Sequence, residues 1–136
     1  MRYQGNAHVR WDDLDAFGHV NNATYLTYAQ EARSNFLWFS KMKEGEAPVV
    51  QDMVIARAEV DFILPIYRGS FELDVTMWIS KIGTSSFTME YELRSEAGLH
   101  SRIKTVQVAI NKETQRSRPL SDPEREFLGR YLEAEV

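Results

Sequence analysis

The stretch from Asn22 to Ser40, NATYLTYAQEARSNFLWFS, decides how the rest of the chain must be read. Tyr25, Tyr28, Ala29, Ala32, Phe36 and Phe39 recur at helical spacing and form one apolar stripe. Glu31, Arg33, Asn35 and, just beyond, Lys41 fall off that stripe. The pattern predicts one long amphipathic helix, with Asn21 or Asn22 as its N-cap. A helix with a single apolar stripe needs another layer to cover it.

Outward from that helix the period drops to two. Residues 3–10 alternate loosely and are predicted as an edge strand. After the polar break Lys43-Glu44-Gly45-Glu46-Ala47-Pro48, four strand-like segments follow. Val54, Ala56, Ala58, Val60, Phe62 and Leu64 form an apolar face, with Arg57, Glu59 and Asp61 between them. Phe71, Leu73, Val75, Met77 and Ile79 alternate with polar residues, as do Phe87, Met89, Tyr91 and Leu93. Val106, Val108 and Ile110 anchor the last strand. Pro65–Gly69, Lys81–Thr84 and Glu96–Gly98 read as turns. Strict alternation with short connections suits an antiparallel meander. Ser121-Asp122-Pro123-Glu124 is a capping box with proline in the first turn, so a short helix is predicted from about residue 122 to 133. The fold class is therefore α+β: a long central helix against a five-stranded antiparallel sheet, with a short C-terminal helix. No internal repeat or linker interrupts residues 1–136, which read as a single domain.

Composition narrows the chemistry. The chain has no cysteine, which excludes a disulfide framework, a thiolate zinc site and a cysteine nucleophile. Its net charge of −4 argues against general nucleic-acid binding. No apolar run is long enough to span a bilayer, and no apolar segment follows Arg2 as in a secretory signal, so a cytoplasmic protein that does not bind membranes is expected. There is no G-x-S-x-G, no phosphate-binding glycine loop and no H-x-x-x-H pair, so no metal site is expected.

Just ahead of the helix lies Trp11-Asp12-Asp13-Leu14-Asp15-Ala16-Phe17-Gly18-His19-Val20-Asn21-Asn22. A carboxylate beside a helix N-terminus places a base next to unpaired backbone N–H donors, the pair of groups that carbonyl attack needs. By spacing alone, turns and caps are the commoner use of such a run.

The pattern Asp13-x-Asp15-x-x-Gly18-His19-Val20-Asn21-Asn22-x-x-Tyr25 resembles the signature of the hotdog-fold acyl-CoA thioesterases, the 4-hydroxybenzoyl-CoA thioesterase-like group. The likeness covers roughly residues 6–112, and the order of predicted elements matches that fold. It implies an acyl-CoA thioesterase that releases a free carboxylic acid and coenzyme A. Asp15 falls on the catalytic aspartate, as nucleophile or as general base. Asn22 falls on the residue whose backbone N–H polarises the carbonyl. His19 is expected to orient Asp15 or the loop, Gly18 to allow close substrate approach, and Asp13 to shape the loop. Tyr25 is a candidate substrate contact on the helix, and Glu31 a less favoured base. Coenzyme A enters as part of the substrate, and no separate cofactor is implied. Its phosphates would call for local cations among Arg57, Arg68, Lys81, Arg102 and Lys104, with Ser85 and Ser86 as hydroxyl donors. Phe17, Phe36, Phe39, Met53, Phe62 and Trp78 are candidates for an acyl pocket, although plain core is the commoner role. The resemblance also implies a homodimer at least, with a tetramer plausible. An acyl-carrier-protein thioesterase and a non-catalytic acyl-CoA-binding module are the alternative readings.

Overall fold

A computed structural model describes residues 1–133. The chain runs β1 (Tyr3–Val9), a 3-10 turn (Trp11–Asp13), α1 (Thr24–Ser34), a π-helical turn (Asn35–Phe39), α2 (Ser40–Lys43), β2 (Met53–Phe62), β3 (Phe71–Ile82), β4 (Ser86–Ser95), β5 (Gly98–Asn111), β6 (Arg116–Ser117) and α3 (Asp122–Gly129). The sheet is antiparallel, with strand order β1-β3-β4-β5-β2, and β6 adds a short pair to β5. It curls around α1, giving the hotdog architecture.

The apolar stripe of α1 does what its spacing requires: Tyr25, Tyr28, Ala29, Ala32 and Phe36 are all buried. They pack on the inward rows of the sheet, such as Val60–Ile103–Tyr91–Met77. Phe39 departs from the expected stripe and is exposed. The π-helical turn adds a residue to that turn, which rotates the following side chains off the face. Leu37 is buried instead.

Two further expectations are corrected. β2 pairs with β5 and not with β3, so Pro65–Gly69 belongs to a crossover from one side of the sheet to the other and is not a hairpin turn. β2 thus becomes an edge strand that α1, packed mainly on β1, β3 and β5, covers only in part, Tyr25 meeting Phe62 at its end. Its apolar side stays open, with Val54, Ile55 and Phe62 exposed, and a bulge at Ala56 breaks the even-numbered alternation. The C-terminal helix ends at Gly129 rather than near 133. After it, Ile79 N–H donates to Tyr131 O and Glu133 N–H donates to Ile79 O, which extends the chain beside β3. The capping box forms as the sequence indicates: Glu124 N–H donates to Ser121 Oγ, and Ser121 N–H to Glu124 Oε1. Among the described residues no helix is long and apolar enough to cross a membrane.

The crossover is pinned where it meets the loop ahead of α1. A Cβ on Gly69 would stand 2.5 Å from Trp11 Cα and 2.7 Å from Arg10 O, so only glycine lets the two backbones pass. Ser70 N–H donates to Val9 O and Val20 N–H to Ile66 O. These bonds hold residues 10–22 against the crossover.

Candidate active site

Residues 14–20 form a tight hairpin. Leu14 and Val20 bridge, Asp15 N–H donates to His19 O, and Gly18 N–H donates to Asp15 O. Gly18 turns the chain with φ of +82°, a conformation that disfavours any Cβ. Asp13 and Asp15 have different jobs. Asp13 Oδ2 accepts from Arg10 N–H at 2.9 Å and from the Tyr28 hydroxyl at 2.7 Å, which locks the loop onto α1. Asp15 Oδ1 accepts from Phe17 N–H at 2.9 Å and lies 4.0 Å from His19 Nδ1. Its carboxylate therefore keeps free acceptor capacity at a partly exposed site.

The helix start is open in a specific way. Asn21 N–H donates to Asp13 O, Ala23 N–H to the Asn21 side chain, Thr24 N–H to Asn21 O and Tyr25 N–H to Asn22 O. Asn22 N–H donates to none of the described residues. The expected side-chain N-cap is thus displaced: Ala23 occupies the cap position, and among the described residues the Asn21 side chain accepts only from Ala23 N–H. The positive end of the helix dipole adds to the open Asn22 donor.

Beside that donor is a cavity of about 140 Å³. His19, Asn22 and Tyr25 wall it on one side, and Phe62, Leu64 and Pro65 on the other. Tyr25 is buried and meets Phe62 edge-on at 5.2 Å. Burial pushes its hydroxyl above the ordinary value, and a hydrogen bond from the Ile66 backbone opposes this. Phe17, His19 and Tyr67 form an aromatic cluster at the rim, with centroid separations of 6.1 and 6.3 Å. Asp15 stands behind His19 and is not itself in the cavity wall.

Of the other residues singled out, Arg57 and Lys81 come together in a second cavity, of about 380 Å³, on the outer sheet face with Ser80, Thr88 and Lys104. Arg57 there is paired with Glu59. Ser85 and Ser86 do not line that cavity. They sit at the β3–β4 turn, where Gly83 N–H donates to Ser86 O and α3 clamps the turn through Arg125 to Gly83 O and Thr84 O. Arg68 pairs with Glu96, and Arg102 with Glu92. Glu31 is exposed on α1 and lies in neither cavity. Of the candidate acyl contacts only Phe62 lines the cavity at the helix start, and Phe36 is core. Sequence reasoning missed Leu64 and Pro65 as cavity walls, because it placed Leu64 on a strand face and Pro65 in a turn between neighbouring strands.

An antiparallel sheet wrapped on one helix is the hotdog architecture, and the family profile together with a named CoA-hydrolase relative makes the chain a thioester hydrolase. The chain belongs to the Thioesterase-like superfamily, whose family profile matches residues 9–128. It is 30% identical over 127 residues to a 1,4-dihydroxy-2-naphthoyl-CoA hydrolase of Rippkaea orientalis, covering 88% of this chain and 90% of that protein. Among solved structures it is similar to a thioesterase of Thermus thermophilus complexed with coenzyme A and zinc. That match has a TM-score of 0.77 and 31% identity, over 94% of this chain and 92% of that one. A predicted thioesterase of Bacillus stearothermophilus superposes with a TM-score of 0.84 at 25% identity over the full length of both.

Proposed function

We propose that the protein hydrolyses an acyl-CoA thioester to a free carboxylic acid and coenzyme A, with Asp15 as the base or nucleophile and Asn22 N–H as the oxyanion donor. The observation that carries this reading is the unpaired Asn22 N–H, open in the wall of a cavity beside the Asp15–His19 pair. As base, Asp15 takes a proton from water while the resulting hydroxide attacks the thioester carbon. As nucleophile, its own oxygen attacks and water cleaves the anhydride formed. Either way the carbonyl oxygen gains charge that Asn22 N–H and the helix dipole stabilise. Collapse expels the thiolate of coenzyme A, which is protonated on release.

His19 orients Asp15 across the hairpin, Gly18 supplies the turn, and Tyr25 lines the acyl side. Arg57 and Lys81, with Lys104 beside them, form a cationic recess suited to phosphate, and Ser85 and Ser86 offer hydroxyls at the β3–β4 turn. Coenzyme A is then a substrate portion and not a resident cofactor. The open edge and uncovered apolar side of β2 fit pairing with a second copy of the chain, which would also close the cavity over exposed Phe62. Light scattering is expected to return a dimer or tetramer, and a monomer at working concentration would remove that part.

The decisive test is Asp15→Asn, with folding and assembly checked, assayed for thiol release over acyl-CoAs of varied chain length and one aryl member. Loss of on the order of a hundredfold or more in kcat is expected. Wild-type turnover would refute the role of Asp15. Tight acyl-CoA binding without release by the wild type would favour a binding module. Release from carrier-protein thioesters alone would favour the carrier substrate.

A further inference from the structure

A third cavity lies at the opposite end of α1 from the Asp15 loop. From Asn22 to Arg33 the helix advances about 16 Å, at 1.5 Å per residue. There the π-helical turn Asn35–Phe39 interrupts α1. Between it, the Val50–Met53 segment and β5 is a space of about 230 Å³. Leu37, Trp38, Val50 and Met53 give it apolar walls, and Arg33 and Gln107 give it a polar floor. It shares no lining residue with the cavity at Asn22.

The floor is incompletely bonded. Gln107 is 2% exposed, yet its amide nitrogen reaches only Thr105 Oγ1 at 3.4 Å and Met89 Sδ at 3.6 Å, both long contacts. The other amide atom bonds none of the described residues. Turning the amide over only exchanges which of its two polar atoms is left over. Arg33 donates through Nη1 to the Tyr91 hydroxyl at 3.0 Å, and Tyr91 in turn meets Thr105 Oγ1 at 2.9 Å. Among the described residues no carboxylate lies within 4.0 Å of the Arg33 guanidinium. Asp52, which also lines the space, is engaged by Lys112 at 3.1 Å. Among the described residues no fully buried side-chain polar atom lacks a partner, so the remaining amide atom of Gln107 is accessible from the cavity and available to a ligand, and a permanently charged guanidinium fork with spare donors is shaped for a carboxylate.

We propose that the Arg33–Gln107 cavity is a binding site for a small apolar carboxylic acid. Its carboxylate sits on the Arg33 guanidinium and the Gln107 amide, and its body lies against Leu37, Trp38 and Met53. The volume falls below the roughly 300–1,000 Å³ of pockets for drug-sized ligands, so the occupant is small. The acid released by the proposed hydrolysis is of this chemical class, but the site is defined by its own residues and does not depend on that reaction.

Trp38 lies in the wall and reports directly. In a W11F/W78F background it is the only tryptophan. Titration with hexanoate is expected to give a saturable change in Trp38 fluorescence, and neutral hexanamide to bind at least tenfold more weakly. Arg33→Gln should erase the preference for the acid. Because Arg33 also supports Tyr91, Gln107→Leu provides a second variant with little risk to folding, and it should weaken hexanoate severalfold. Asp15→Asn should leave the titration unchanged. Equal binding of acid and amide, wild-type affinity in Arg33→Gln, or no saturation by Trp38 would overturn the proposal. Loss of the response in Asp15→Asn would also overturn it, by placing the acid at the Asp15 loop. Since no turnover is read, these outcomes are separable from failure of the hydrolase reading.

Discussion

The Tyr28 hydroxyl donates to Asp13 Oδ2 across 2.7 Å, and this bond fastens the loop carrying Asp15 to the buried face of α1. Burial, reinforced by the bond to Asp13 and the charge of that carboxylate, pushes the Tyr28 hydroxyl far above the ordinary tyrosine range. It therefore remains a donor at every working pH. Tyr28→Phe keeps the ring and removes the donor. A hydrogen bond to a charged acceptor contributes about 1.5–3 kcal/mol, and partial exposure of Asp13 places the loss near the lower end. Urea unfolding at pH 7 should show a stability loss of about 1.5 kcal/mol, and kcat/KM should fall severalfold as the loop loosens. Unchanged stability would show that Arg10 N–H alone holds Asp13.

At the other end of the chain, buried Glu124 is paired with half-buried Arg118, whose Nη1 lies 2.8 Å from Glu124 Oε1. Burial pushes the carboxyl up, but hydrogen bonds from Arg118 and the Ser121 backbone outweigh it and leave the group below the ordinary glutamate range. A depressed folded value means that the stabilisation is complete above the unfolded value of about 4.3. It is lost as pH falls through the folded value. Glu124→Gln should therefore cost about 2 kcal/mol at pH 7. The gap to the wild type should close below about pH 4, read by urea unfolding across the range. A gap independent of pH would mean that the carboxylate charge contributes nothing.

What the sequence could disclose follows from what each pattern encodes. The stripe of Tyr25, Tyr28, Ala29, Ala32 and Phe36 was legible because helical spacing specifies a face. Phe39 was not, because a π-helical turn leaves no mark in hydrophobic period. The alternation through β2 identified a strand, but period two says nothing about which strand lies alongside, and β2 went to β5 at the edge. Asp13 and Asp15 are chemically alike; the family resemblance singles out Asp15, but the bonds that engage Asp13, from Arg10 N–H and from Tyr28 fifteen residues away, are not written in the local pattern. Arg33 falls off the apolar stripe and reads as solvent-facing. Its long side chain nevertheless reaches inward to Tyr91, which no local pattern records.

The open Asn22 N–H permits a separation that side-chain mutagenesis alone cannot give. Asn22 is exposed, its side chain makes no hydrogen bond, and its N–H has no partner among the described residues. Asn22→Ala removes the amide side chain and keeps the backbone donor. Asn22→Pro removes the donor, at the second position of the turn closed by Thr24 N–H and Asn21 O, where proline is favoured. If the N–H is the oxyanion donor, Asn22→Ala should retain activity within about threefold. Asn22→Pro should then lose on the order of a hundredfold in kcat with little change in KM, since the interaction is made chiefly in the transition state. Neither variant breaks an existing hydrogen bond, so their urea midpoints should stay close to the wild type. Equal loss in both would assign the effect to the side chain, and full activity in Asn22→Pro would move the oxyanion donor elsewhere.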